Sequence, residues 1–483
     1  MPDRDTRRIL GCGVAVAALP LLFGLGGGDP AARLDGLITG LALAGLPYLY
    51  IWRTWRRLDD DPATLRAILL VAALGRVALL AVPPLLSEDL WRYLWDGAVQ
   101  WAGHNPFVHA PAAAALDPLA AADPALAAIR AQIGHAHIPT IYPPAAQLGF
   151  ALATALGPHA LVLRAALIAA DLFVVLALWR QAARTGRRPG LAALYAFAPL
   201  AVVESAIGAH VDALGVAALV GCGALLAHGR PLRAGAALAV AIGTKLIPAL
   251  ALPTLARHRP RAALAALAAA ALLWLPYLGA GPALFGGLRA YGERWRANDG
   301  LFAVFAWPFE QLWPAAPHPV DVPAPIAALA RLLVGPAPGA QPGQIWADEL
   351  SFAAAKLIAG LVFAAVCLWR WWRARDLEGL VGPVFVALFL VSPVVHPWYL
   401  LWVLPFAALG AERRVAWGPA IIAWSLLAWI AYLPRPGYLA TGEWISDPLW
   451  RAVEYLPVWA LLAWGLIRAR ARRADTRRCP SPP

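Results

Sequence analysis

Apolar runs of about 20 residues, parted by short clusters of arginine, constrain this chain more than any other feature. A helix of that length crosses the hydrocarbon of a bilayer, where each backbone N–H and C=O must find its partner within the chain. Charged residues make up 14% of the sequence and hydrophobic residues 61%, against about 25% charged in a soluble domain. The chain is therefore an all-α integral membrane protein, and a soluble fold is excluded. Candidate spans run over 9–28, 35–52, 64–86, 144–180, 191–208, 211–227, 234–254, 261–280, 352–369, 380–396, 398–411, 415–433 and 452–468. Segment 144–180 is too long for one simple span and holds a Gly157-Pro158 break. Segment 234–254 has basic clusters on both flanks and reads as a re-entrant hairpin. The expected total is about 11–13 transmembrane helices.

The net charge of +12 does not indicate nucleic acid, because of where the charge falls. It gathers at 53–57, 184–188, 228–233, 257–261, 370–375, at Arg413 and Arg414, and in the tail 468–483. Basic clusters between spans mark the cytoplasmic side. The segments 87–143, 281–350 and 434–451 are then left outside, and they are the long, aromatic, Pro- and Gly-rich loops. Residues 1–483 form one membrane domain, with 87–143 as a large first extracytoplasmic loop, 281–350 as a second and 468–483 as a basic cytoplasmic tail. Residues 315–345, rich in Pro, Ala and Gly, are expected to be loose. The N-terminal stretch reads as an uncleaved first span, since no small-residue cleavage site follows its apolar run. Cys12, Cys222, Cys367 and Cys479 show neither metal-ligand spacing nor a disulfide framework.

The stretch SEDLWRYLWDGAVQWAGHNPF, residues 87–107, opens the first outer loop with Glu88 and Asp89. Charged residues often end a membrane helix simply because water begins there. This pair, however, is acidic and does not serve orientation, and Trp91, Arg92, Tyr93, Asp96, Gln100, His104 and Asn105 follow it. A carboxylate at a partly dry interface can act as a general base, and aromatic faces around it can stack on a sugar ring. The loop closes with GHAHIPTIYPPAAQ, residues 134–147. His135 and His137 stand at i, i+2, but no third ligand has a recognisable spacing, so no metal is expected. Tyr142 precedes two prolines that suit a helix start.

Within GAHVDALG, residues 208–215, His210 and Asp212 lie near Glu204 at the outer ends of two spans. Such ionisable residues are either functional or polar contacts between helices. Lys245, followed by Pro248, is a candidate phosphate partner at a broken helix, or a lysine snorkelling to the cytoplasmic surface. Arg76, Arg164 and Asp171 are further charges inside spans. His396 and Tyr399 of HPWYLLWVLPF fall at an outer turn. The run Asp59-Asp60-Asp61 before Pro62 looks like a helix cap. No P-loop or dinucleotide glycine pattern occurs in a strand–helix context.

Taken in order over about residues 80–410, these stretches resemble the multi-spanning C-type-fold glycosyltransferases, and among them bacterial polyprenol-phosphate-mannose-dependent mannosyltransferases. The resemblance implies an acidic catalytic base in the first outer loop, matched here by Asp89, with Glu88 not cleanly separable from it. It implies an inverting transfer of a hexose, mannose first, from a polyprenyl-phosphate donor to a lipid- or glycan-linked acceptor. The enzyme is expected in the bacterial inner membrane with an extracytoplasmic active site. Arg92, Tyr93, Asp96, Asn105, His137, Tyr142, His210, Asp212, Lys245, His396 and Tyr399 form the candidate substrate-binding set. Some members of the wider fold use a divalent metal; nothing in these residues demands a metal or another cofactor. The competing readings are a lipid-linked substrate transporter, which would also carry in-span charges and broken helices, and a scaffold subunit of an envelope assembly.

Overall fold

The computed structural model describes residues 3–478, apart from 316–317, 337 and 414. Arg414, Cys479 and the last residues of the basic tail lie outside the described residues. Seven described helices are long and apolar enough to cross a membrane, or eight if the bent pair Pro189–Ala196 and Pro199–Ala206 forms one span. The other apolar segments fold as shorter pieces. Proline and glycine explain this: a proline removes a hydrogen bond and its ring crowds the carbonyl four residues back. Thus 144–180 divides at Gly157 into Pro144–Ala153 and Ala160–Arg184. Likewise 398–411 becomes the 3-10 turn Pro397–Trp402 and the helix Leu404–Leu409.

Local chemistry sets the helix starts. Asp3, Asp29, Asp61 and Asp376 each accept a backbone N–H of the helix that follows, which satisfies a donor the helix leaves free. Close helix approach depends on small residues. A Cβ on Gly36 or Gly40 of Pro30–Thr54 would run into backbone of Arg4–Leu25, so this G-x-x-x-G face lets the first hairpin close.

The in-span charges Arg76, Arg164 and Asp171 are structural. Asp171 accepts from Arg76 Nε at 2.7 Å and from the Tyr195 hydroxyl at 2.6 Å. Arg76 also donates to the Ala196 carbonyl at 3.0 Å, next to the 59° bend of the broken pair. Arg164 donates to the carbonyls of Ala206, Leu79 and Val82. Both arginines thereby cap helix ends that water cannot reach.

One end of the molecule gathers basic residues that are remote in sequence. Arg57 faces Asp5 at 3.6 Å, Arg56 donates to the Ala411 carbonyl, Arg187 pairs with Glu378 at 2.7 Å and Arg188 donates to the Leu58 carbonyl. The helix Pro62–Ala78 starts at this end and leads away to Glu88 and Asp89. The stretch 315–345, expected to be loose, is instead folded where it is described. Its helix Ala324–Val334 and the antiparallel strands Val320–Asp321 and Gln344–Ile345 are held by a small core of Ala330, Val334, Ile345, Leu350 and Ala353. The apolar face of that helix overrides the loop-like composition. Cys12, Cys222 and Cys367 are free thiols.

Candidate active site

At the end opposite the basic clusters, several helix breaks surround a cavity of about 430 Å³. Its walls include Glu88, Asp89, Tyr142, Lys245, His396 and Tyr399, drawn from four separate parts of the chain. Asp89 is the first residue of the helix Asp89–Trp101, where the helix dipole favours a carboxylate. The Tyr93 hydroxyl, one turn on, donates to Asp89 Oδ2 at 3.4 Å. Burial, with Tyr142 and Asp89 nearby, pushes the Tyr93 phenol well above its ordinary value, so it remains a donor.

Behind Asp89 stands a buried polar chain. His210 Nε2 lies 3.7 Å from Asp89 Oδ2, and its Nδ1 lies 2.8 Å from Glu204 Oε2. Glu204 also accepts from the Tyr432 hydroxyl at 2.5 Å. Glu204 and His210 are completely buried. The backbone is folded tightly to make this contact. The helix Pro199–Ala206 ends, Ala209 takes φ +53°, and the His210 amide donates back to the Glu204 carbonyl at 3.1 Å. Gly208 leaves room for the Glu204 carboxylate and the His210 ring, both of which a Cβ would meet. Trp398 then clamps the imidazole, stacking on His210 at 3.7 Å and on His396 at 4.3 Å. His396 lies in the loop between Leu377–Val391 and Pro397–Trp402. Burial first, then Lys245 and His210, push its imidazole down to about 3.

The cation on this wall is Lys245. The helix Pro231–Thr244 cannot continue regularly through Pro248, whose ring would crowd the Thr244 carbonyl. Lys245 is extended at the break, with Nζ 2.8 Å from Asp212 Oδ1 and 3.9 Å from the centre of the Tyr399 ring. Asp212 also accepts from the Trp402 indole at 2.5 Å. Tyr399 shares a 2.6 Å hydrogen bond with Tyr291. Lys245 thus faces the cavity and does not snorkel to the basic end.

Glu88 and Asp89 separate by their partners. Glu88 Oε1 faces Arg435 at 3.6 Å, and Arg435 is held by the Leu85 carbonyl at 2.7 Å. Gly134 packs directly over the Glu88 carboxylate. Asp89 faces the histidine instead.

The other sequence candidates divide in the same way. Arg92 and Tyr142 line the cavity. Arg92 pairs with Asp96 at 2.8 Å, and Gln147 donates to Asp96 at 3.0 Å and to Thr140 at 2.8 Å. Asp96 is therefore buried in the strut that ties the outer loop to Pro144–Ala153, away from the cavity. Asn105 accepts from the Phe107 amide and donates to the Tyr277 carbonyl, and so fixes a turn. His137 is exposed, whereas its neighbour His135 lines the cavity beside Trp295. Asp96, Asn105 and His137, expected at the substrate, thus do not line this cavity. Among the described residues, no group of three His, Cys, Asp or Glu stands where it could hold a metal ion. Glu204, Tyr432, Trp398, Trp402 and Tyr291 were missed as site residues. Only Glu204, six residues before His210, and Trp398 and Trp402, inside the HPWYLLWVLPF stretch, left a local signal.

Three family models match the chain. The model described as alpha-(1->6)-mannopyranosyltransferase, N-terminal domain, covers residues 14–261. Glycosyltransferase family 87 covers 140–393, and the MptB C-terminal domain covers 346–464. No curated protein and no solved structure matches. The first two models each take in just over half of the chain, and between them they hold Asp89, Glu204, His210, Asp212 and Lys245. The cavity thus lies within the matched regions, and the chain belongs to the alpha-(1->6)-mannopyranosyltransferase family of membrane glycosyltransferases.

Proposed function

We propose that the protein moves a mannosyl group from a polyprenyl-phosphate carrier to a hydroxyl of a lipid- or glycan-linked acceptor, with inversion, on the extracytoplasmic side. The observation that carries this reading is the position of Asp89, at a cavity wall and backed by the buried His210–Glu204 pair. Asp89 takes the proton of the acceptor hydroxyl as its oxygen attacks the anomeric carbon. The bond from that carbon to the phosphate oxygen breaks, and the electron pair leaves with the carrier phosphate. With the Nδ1 proton directed to Glu204, the lone pair of His210 Nε2 faces Asp89 and can relay the proton onward. Lys245 supplies positive charge for the leaving phosphate. Inversion to an α product requires a β-linked donor.

Sidedness is supported by the gathering of basic residues at the far end. A carrier that stays in lipid accounts for a site framed by broken membrane helices and for a sequence without a nucleotide motif. The test is purified protein given radiolabelled polyprenyl-phosphate mannose and a mannan acceptor. Wild type transfers label, and Asp89→Asn loses about 10²- to 10⁴-fold in turnover while its thermal unfolding stays close to wild type. Undiminished transfer by that variant, or export of the lipid-linked sugar by a wild type that transfers none, defeats the proposal.

A further inference from the structure

The basic end carries a second cavity, of about 620 Å³, walled by Arg257, His258, Trp372, Arg373 and Arg375. Local structure brings these residues together. Arg257 and His258 end the helix Leu252–His258, and Pro260 starts the next. The long helix Ala347–Arg373 ends beside them. Arg257 donates to the Trp372 carbonyl at 3.2 Å and its guanidinium lies 4.9 Å from the Trp372 ring centre, so its position is fixed.

Three arginines and a histidine wall the cavity, and no acidic residue is among its lining. Among the described residues, none of these arginines forms an ion pair with a carboxylate. The nearby carboxylates point to other partners: Asp376 caps its own helix through the Gly379 amide, and Glu378 pairs with Arg187. A second, independent observation comes from His258. Its Nε2 is buried and has no hydrogen-bond partner, a condition that costs stability unless a ligand satisfies it. Arginine forks and an imidazole around one hollow suit a phosphate group.

The surface leading to the hollow identifies the source of that phosphate. Leu368, Trp369 and Trp372 are 55%, 50% and 73% exposed, on the last turns of a membrane-crossing helix. Exposed tryptophans at such a helix end mark the headgroup level, and basic hollows there recruit anionic headgroups. We propose that this cavity binds the phosphate of an anionic phospholipid. The lipid's acyl chains lie along the apolar face of Ala347–Arg373, and its headgroup enters between Arg257 and Arg373 to reach His258.

The experiment measures thermal unfolding of the detergent-purified full chain in micelles containing phosphatidylglycerol or phosphatidylcholine at equal mole fraction. Phosphatidylglycerol should raise Tm above the phosphatidylcholine value in a saturable way, as a ligand of the folded state does. The exposed double variant Arg373→Gln/Arg375→Gln should keep the wild-type Tm in phosphatidylcholine and lose most of the added rise. His258→Ala should do the same through the hollow's floor. Inorganic phosphate in phosphatidylcholine micelles should give little or none of the rise. Equal Tm in both lipids, a double variant that keeps the full rise, or inorganic phosphate reproducing it would each overturn the assignment.

Discussion

Glu88 and Asp89 are adjacent in sequence yet have different environments, and under the proposed mechanism this difference favours Asp89 as the proton acceptor. Arg435 faces Glu88 at 3.6 Å, whereas Asp89 faces His210 at 3.7 Å. Glu88→Gln is therefore expected to lower turnover by less than about 10-fold, well short of the general-base loss at Asp89. Steady-state kinetics on the two variants compare them directly; equal losses would show that the pair acts as one. The turn that presents His210 allows a second forecast. Ala209 at φ +53° carries left-handed strain of about 1–2 kcal/mol, while glycine there costs about 0.5–1 kcal/mol in chain entropy. Ala209→Gly should be neutral or stabilising by up to about 1 kcal/mol, read from thermal unfolding. Gly208→Ala should do the opposite. Its Cβ would meet the Glu204 carboxylate and His210, costing about 1–3 kcal/mol, and displacement of the imidazole should reduce turnover as well. The sequence pointed to Asp89 and His210 by residue type and boundary position. It could not show that they meet, because the Gly208-Ala209 turn that aims the ring carries no periodicity.

Among the elements, the broken helices supply the cavity's polar groups. Lys245 is available to the cavity because Pro248 stops Pro231–Thr244 one residue before it. Asp212 is 2% exposed, and removing its cation leaves a buried charge unpaired, at about 3–5 kcal/mol. Lys245→Met should therefore destabilise strongly, and Lys245→Met/Asp212→Asn should recover much of that loss but not the transferase activity. A double-mutant cycle in unfolding and in mannosyl transfer separates the two roles. If the double variant regains turnover, the charge does not serve the leaving phosphate. Basic flanks at both ends of 234–254 indicate a hairpin that returns to its own side, and the break at Lys245 explains how such a segment still reaches Asp212. The Pro-, Ala- and Gly-rich stretch at 315–345 misled for a related reason. Composition averages over Ala330 and Val334, which share one helix face and build a core with Leu350 and Ala353 beyond the stretch.

For the whole molecule, the two ends differ in chemistry, and the apolar runs and arginine clusters made that polarity legible at once. What they could not reveal was the cavity. Its walls come from Asp89, Asp212, Lys245, His396 and Arg435, positions so far apart that no local pattern joins them. Tyr432, which holds Glu204 from 228 residues away, is the extreme case. The polarity makes a forecast about orientation. If the arginine-rich end faces the cytoplasm, as arginine retention on that side requires, the loop bearing exposed His137 faces outward together with Asp89. In a chain with Cys12, Cys222, Cys367 and Cys479 replaced by serine, His137→Cys should react with a membrane-impermeant maleimide in intact cells or spheroplasts. Arg375→Cys, at the opposite end, should react only after permeabilisation. Labelling in the reverse order would turn the Asp89 cavity toward the cytoplasm, and a carrier-linked donor presented outside could no longer reach it.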